Sequence, residues 1–146
     1  MTSRIAVRVF GVLSCLAALL LLPGSASAQA TKLDALVAEV STNGTAIDPA
    51  LSAMAKSFKR NGLAFTNYNL VSRSSLSLTA GQEGSVGLGG TGQASVTLVK
   101  VEPDGKALVR LNTPGTSGEY SISPGGELSM QVGTVENGKI FLILRR

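Results

Sequence analysis

The 146 residues include 13 Lys or Arg, 9 Asp or Glu and no His, which gives a net charge of +4 at neutral pH. Two of the arginines and the only Cys precede residue 29, so a chain processed there would keep 146 minus 28, or 118, residues and a net charge of +2. This small charge, spread along the chain, argues against nucleic-acid binding. Without Cys or His the mature chain has no disulfide, thiolate metal site or histidine base, and we predict no cofactor and no metal.

Residues 1–28 have the pattern of a secretory signal. Arg4 and Arg8 precede an apolar run from Val9 to Leu22, and Ala26-Ser27-Ala28 is a small-residue cleavage site. We predict cleavage after Ala28 and export through the Sec pathway of a Gram-negative bacterium, to the periplasm or outside the cell. The run is shorter than the roughly 20 residues that span a bilayer, so we expect no membrane span in the mature chain.

A lipoprotein signal is an alternative interpretation of the same segment. Val12-Leu13-Ser14-Cys15 resembles a lipobox with Cys15 as the acylated residue. Against it, the residues from Leu16 to Leu22 stay apolar where a lipoprotein usually becomes polar. We therefore expect residues 29–146 to form a single β-rich domain without a lipid anchor.

Residues 33–41 are compatible with two structures. Leu33, Leu36, Val37 and Val40 have helical spacing, whereas Leu36, Ala38 and Val40 also alternate as in a strand. We favour the strand, because the polar residues 41–45 then form its exit turn. Within that turn Asn43-Gly44-Thr45 is a glycosylation sequon, which we interpret as a turn in a bacterial protein.

An amphipathic helix is predicted over residues 48–60. Asp48 is a good N-cap and Pro49 suits the first helical position. Apolar residues recur with a helical period at Leu51, Met54, Ala55 and Phe58, and cations occupy the later turns at Lys56, Lys59 and Arg60.

The rest of the chain predicts short antiparallel strands separated by glycine-rich turns. We expect an antiparallel β-sandwich or a partly open barrel of about eight strands, with the helix capping one end or covering an open face. The predicted strands are 63–72, 75–80, 84–88, 94–102, 106–112, 118–123, 128–135 and 139–145.

The first clear hairpin is predicted over residues 94–112. Its turn, residues 102–106, fits a type I turn closed by a glycine with positive φ. Extending the ladder predicts one apolar face, which pairs Val101 with Ala107, Val99 with Val109 and Thr97 with Leu111. The other face would pair Lys100 with Leu108 and Leu98 with Arg110.

A second hairpin is predicted around Asn137-Gly138, which suits the two central positions of a type I′ turn. This register would pair Val135 with Ile140 and Val132 with Ile143. Residues 140–144 are apolar on both faces, which favours a central strand covered from both sides.

Residues 87–92 match the pattern G-x-G-x-x-G of dinucleotide-binding loops. The segment that follows is β-branched and predicts a strand, whereas a dinucleotide site needs a helix there. We therefore interpret these glycines as a hairpin loop.

A series of short motifs lies before this loop, in the order Ile47-Asp48-Pro49-x-Leu51, Phe65, Tyr68-x-Leu70 and Leu76-x-Leu78-x-x-Gly81. This order resembles that of uncharacterised, small exported proteins of Gram-negative bacteria. The similarity spans residues 35–111. It implies an envelope location and a mostly β fold, and it brings no activity and no site residues.

The predicted function is that of a non-catalytic envelope or periplasmic module that binds another macromolecule, expected to be an envelope or secreted protein, through a sheet edge or the basic side of the helix. The candidate interaction surface comprises Lys56, Lys59, Arg60, Lys100 and Arg110. One alternative is a protease inhibitor or small-ligand carrier that uses the loops 84–92 or 112–118. Another is a small hydrolase with a Ser/Lys pair, although we predict no enzyme. Oxygen ligands for calcium at Asn43, Asp48, Asp104 or Asn137 are explained by turns and capping.

Overall fold

The computed structural model describes residues 29–146, so the predicted signal, its cleavage site and Cys15 lie outside the described residues. It contains two four-stranded antiparallel sheets, a first sheet in the order β2-β1-β8-β7 and a second sheet in the order β3-β4-β5-β6. The predicted antiparallel sandwich is therefore confirmed, and the eight described strands form no closed barrel. The strands are β1 Thr31–Ser41, β2 Asn67–Leu78, β3 Glu83–Gly87, β4 Gln93–Val101, β5 Ala107–Thr113, β6 Thr116–Ile122, β7 Glu127–Val135 and β8 Gly138–Arg145.

Residues 31–41 form a strand, β1, in the middle of the first sheet. On one face of β1, Leu33 and Val37 pack in the core between the two sheets. On the other face, Leu36 and Val40 pack under the helix. Because β1 is covered on both sides, its apolar residues also satisfy a helical spacing, which explains the ambiguity of the sequence.

Strand β8 is the second central strand, as its two apolar faces predict. It lies between β1 and β7. Leu142 and Leu144 pack in the core between the two sheets, and Ile143, on the opposite face, packs under the helix. Burial of both faces of the two central strands produces three layers, which are the helix, the first sheet and the second sheet.

The predicted helix covers the outer face of the first sheet. It begins as a short 3-10 segment, Pro49–Leu51, and continues as α1, Ser52–Arg60. The Asp48 carboxylate accepts a hydrogen bond of 2.9 Å from the Ala50 amide, as expected for an N-cap. Arg145 of β8 donates to the Ala50 carbonyl at 3.1 Å and to Glu127 at 2.7 Å, which ties the start of the helix to the sheet.

Two strands predicted separately, 63–72 and 75–80, form one strand, and residues 63–66 lie outside it. The two residues between them continue to pair with β1, with Arg73 opposite Leu36 and Ser74 opposite Ala35. An irregularity in the β1–β2 register leaves Val71 unpaired. The polar sequence predicted a break between two strands, although these residues lie in the exposed or half-exposed part of one continuous strand.

The turn of the first hairpin is confirmed. The Glu102 amide donates to the Lys106 carbonyl at 2.8 Å, and Gly105 has a φ of +90°. Val101 pairs with Ala107 as predicted. Beyond Lys100, however, a bulge at Val99 shifts the register by one residue, so the predicted pairing of the remaining positions is wrong.

The bulge changes which face several residues occupy. Leu98 pairs with Val109 and is fully buried, whereas the unshifted ladder placed it on the outer face with Arg110. Val96, not Thr97, pairs with Leu111. One extra residue therefore keeps the larger apolar side chain in the core.

The predicted register of the second hairpin is also wrong. Val135 pairs with Gly138, so Glu136 and Asn137 occupy the centre of the turn. None of the described non-glycine residues has a positive φ, so this turn is not of type I′. A β-carbon on Gly138 would collide with the Val40 carbonyl oxygen of β1, which shows that the glycine is needed for close approach of strands.

Candidate functional site: a basic groove beside the helix

The five predicted surface cations lie on two separate surfaces. Lys56, Lys59 and Arg60 are exposed on α1, which packs on the outer face of the first sheet. Lys100 and Arg110 are exposed on β4 and β5 of the second sheet. The structure therefore brings together the three helical cations and leaves the other two on a different layer.

The cations on the two surfaces also differ in their ion pairs. Arg110 donates to the Glu119 carboxylate at 2.7 Å across β5 and β6. Within residues 29–146, no salt bridge or side-chain hydrogen bond involves Lys56, Lys59 or Arg60. The described surface of α1 thus carries three positive charges that no acidic side chain compensates.

A groove runs along α1 between the helix and the two loop segments 45–47 and 63–66; we call it the helix groove. It has a volume of about 710 Å³. Lys56 and Lys59 contribute to its lining from the helix. Its apolar lining consists of Ile47, Ala55, Leu63, Ala64, Phe65 and Tyr68.

Apolar exposure is concentrated at this groove. Ile47 is 49% exposed and Leu63 is 43% exposed, and they are two of the four large hydrophobic residues that the described chain leaves exposed. Isolated exposed leucines are ordinary, but a concave pair beside two lysines is a typical feature of binding sites.

Aromatic rings support the groove from below. Phe58 of α1 lies at 5.0 Å from Phe141 of β8 and at 6.2 Å from Phe65, measured between ring centroids. The Lys139 ammonium lies 5.8 Å from the Phe65 centroid. The tilted Phe58–Phe65 pair and the edge-to-face Phe58–Phe141 pair support the wall of the groove, and Lys139 places a third cation next to it.

Tyr68 is the most unusual residue of the groove lining. It is 2% exposed, and its buried hydroxyl has no hydrogen-bond partner. Burial raises the pKa of the Tyr68 phenol, so the group is a neutral donor at physiological pH. Its backbone is fully engaged, since its amide donates to Ala46 and its carbonyl accepts from Asp48.

Sequence reasoning identified the helical cations but not the groove. Ile47, Leu63 and Tyr68 come from three different segments, and only the packing of the helix on β2 places them around one cavity. No local pattern in the sequence indicates that the Tyr68 hydroxyl is buried without a partner. The exposed apolar residues beside the helix would have been the only available signal.

The glycine pattern at residues 87–92 forms a tight loop between β3 and β4. As predicted, a strand and not a helix follows it. Leu88 is fully buried, its carbonyl accepts a 2.7 Å hydrogen bond from the Thr91 hydroxyl, and its amide donates to Gly92 at 2.8 Å. Gly92 has a φ of +110°, which explains the need for glycine there.

A polar cluster lies on the outer face of the first sheet. The Asp34 carboxylate accepts hydrogen bonds from the Ser75 hydroxyl at 2.8 Å and from Arg73 at 3.4 Å. The hydrogen bond from Ser75, and then the charge of Arg73, lower the pKa of Asp34 below its ordinary 3.8.

In the described part of the chain, serine hydroxyls donate to carboxylates, an amide side chain and carbonyls, and none is hydrogen-bonded to a lysine. Residues 29–146 contain no group of three acidic side chains that could hold a metal ion. No helix among them has the length and apolarity to cross a membrane. Comparisons with protein-family models, curated proteins and solved structures gave no match.

Proposed function

We propose that this protein is an exported, non-catalytic binding module of the cell envelope whose partner is another envelope or secreted protein. The contact surface is the exposed face of α1. The observation that carries the proposal is the group of three uncompensated cations, Lys56, Lys59 and Arg60, next to exposed apolar residues.

This surface has the chemistry of a protein interface. Uncompensated cations attract an acidic partner and accelerate its association, while apolar residues such as Ile47 and Leu63 supply the buried contact area. Because α1 is held on the first sheet by buried residues and by Arg145, the cations are presented from a rigid support. An acidic partner surface is thus the expected complement.

The proposal is tested by crosslinking of the tagged protein in intact cells, followed by mass spectrometry. We expect a dominant envelope protein among the adducts. The variant Lys56→Glu/Lys59→Glu/Arg60→Glu should lose this adduct while remaining folded and exported.

A matched control changes the charge by the same amount elsewhere. Lys32, Lys100 and Lys106 are exposed outside α1, with Lys106 in an exposed ion pair with Asp104, and their replacement by Glu should leave the adduct intact. If only the control variant loses the adduct, the interface lies around Lys32, Lys100 and Lys106 and not on α1. An absence of any adduct from a folded, exported chain would overturn the proposal of a stable protein partner.

A further inference from the structure

We propose that the helix groove is a binding site for a small amphipathic anion, which has a carboxylate on an unbranched hydrocarbon chain. This goes beyond the proposed protein partner, because it assigns a low-molecular-weight ligand to a cavity of the chain itself. Three features of the molecule support it, which are the shape of the groove, its charge and the unpaired hydroxyl of Tyr68.

The shape and lining of the groove fit a hydrocarbon chain. Its volume of about 710 Å³ falls within the range of roughly 300 to 1,000 Å³ that is typical of small-molecule sites. Ile47 and Leu63 expose large apolar side chains in it, and Phe65 contributes an aromatic wall. A hydrocarbon chain would remove these surfaces from water without requiring polar partners.

The charge of the groove selects an anion. Lys56 and Lys59 line it, and neither is paired with an acidic side chain in the described residues. Lys139 adds a positive charge above Phe65. A carboxylate satisfies these ammonium groups, whereas a cationic head group on the same chain would be repelled.

Tyr68 supplies an independent observation. Its side chain lines the groove, is almost completely buried and has a hydroxyl without an acceptor in the protein. Buried polar groups nearly always have a hydrogen-bond partner. The hydroxyl is closed to solvent in the ligand-free groove, so a ligand oxygen that enters beneath the groove wall would provide the acceptor that the protein does not.

The same region disfavours an extended peptide added to the edge of β2. Strand addition requires unpaired backbone groups, but the amide and carbonyl of Tyr68 are already bonded to Ala46 and Asp48. The segment around Ile47 therefore occupies the edge of β2 at Tyr68, beside the groove. A ligand that binds through its apolar body and its charge needs no such backbone groups.

The test compares two probes with the same chain and opposite charges, dodecanoate and dodecyltrimethylammonium, each below its micellar concentration. Calorimetry and amide chemical shifts of the purified protein report the binding. We expect dodecanoate to bind at one site, with shifts concentrated at residues 45–47, 55–59 and 63–68, and the cation not to bind there. Equal binding of both probes, or dodecanoate shifts located elsewhere, would overturn the proposal.

Variants identify the groups responsible. Lys56→Glu/Lys59→Glu should weaken dodecanoate binding about tenfold or more, whereas the control Lys32→Glu/Lys100→Glu should not change it. Tyr68→Phe should weaken binding about three- to tenfold although it removes only one oxygen. Unchanged binding by Tyr68→Phe would refute the role of the hydroxyl.

The ligand proposal and the proposal of a protein partner are tested by different measurements. Crosslinking in cells reports a protein partner, and the purified protein reports the ligand. Tyr68 is buried, so Tyr68→Phe should leave the protein adduct intact while it weakens dodecanoate binding. If the unmodified protein forms no adduct in cells but binds dodecanoate, only the proposed function is contradicted. If it forms the adduct but does not bind dodecanoate, only this inference is contradicted.

Discussion

Replacing Leu36 by Ala tests whether the helix layer and the sandwich unfold as one unit. Leu36 is fully buried on the helix-facing side of β1. The substitution removes about three carbon groups, at ~0.8 kcal/mol each, or ~2.4 kcal/mol of transfer free energy. The cavity left under the helix adds to this, so we expect a total loss of about 3 to 4 kcal/mol. A domain of this size should then melt about 12 to 16 °C lower.

Leu33 provides the matched comparison, because it is equally buried on the opposite face of the same strand. The free energy of unfolding would be measured in urea by circular dichroism at wavelengths that report helix and strand. We expect Leu36→Ala and Leu33→Ala to lose similar amounts, with coincident helix and strand transitions. A loss below about 1 kcal/mol for Leu36→Ala, or an earlier helix transition, would refute the single cooperative unit.

Three further substitutions test individual contacts, each by urea denaturation. Tyr68→Phe should stabilise the unliganded protein by about 1 to 3 kcal/mol by removing an unpaired buried hydroxyl, and a loss of stability would show that the hydroxyl has a partner. Gly138→Ala should cost about 1 to 3 kcal/mol or more, because its β-carbon meets the backbone of β1, whereas Gly115→Ala, with no neighbour within 4 Å, should change stability by less than about 0.5 kcal/mol. Asp34 has a lowered pKa when folded, so its stabilising effect is present above its ordinary 3.8 and is lost as the pH falls through the lowered value. Asp34→Asn should therefore lose stability at neutral pH but not in strong acid. The loss should be less than about 1 kcal/mol, because the Asp34 side chain is 41% exposed. An equal loss at pH 2 and pH 7 would contradict this.

Much of the fold follows from local patterns in the sequence. The apolar residues of 140–144 on both faces predicted a central strand, and the spacing after Asp48 predicted a helix that is present at nearly the same bounds. These signals are reliable because burial on one or two faces directly determines the period of apolar residues.

The registers were predicted less well, because a bulge interrupts the strict alternation of the first hairpin and the turn of the second hairpin is centred on Glu136 and Asn137, one residue earlier than predicted. Val99 and Val132 are each an extra residue in one strand of a pair, and after them every side chain changes face. Nothing local marks either valine, since the reason for the bulge is the packing of its neighbours. Leu98 is buried only because the ladder slips at Val99.

The candidate site was predicted in part. The cations of α1 follow from the sequence, since an amphipathic helix exposes its polar side. The groove does not, because it depends on where the loops around Ile47 and Leu63 lie relative to the helix. Lys100 and Arg110 were grouped with the helical cations by charge alone, and the folding of the chain into layers separates them.

The pairing of β1 with β8 determines when the chain can fold. The first described strand has the last one as its neighbour, so the centre of the first sheet remains open until nearly the whole described chain is available for folding. During that time β1 exposes two apolar faces, which is a state prone to aggregation. Contacts between such distant segments also make folding slow, in the range of about milliseconds to seconds. We therefore expect the newly made chain to depend on a holding chaperone, which would bind β1 until β8 becomes accessible.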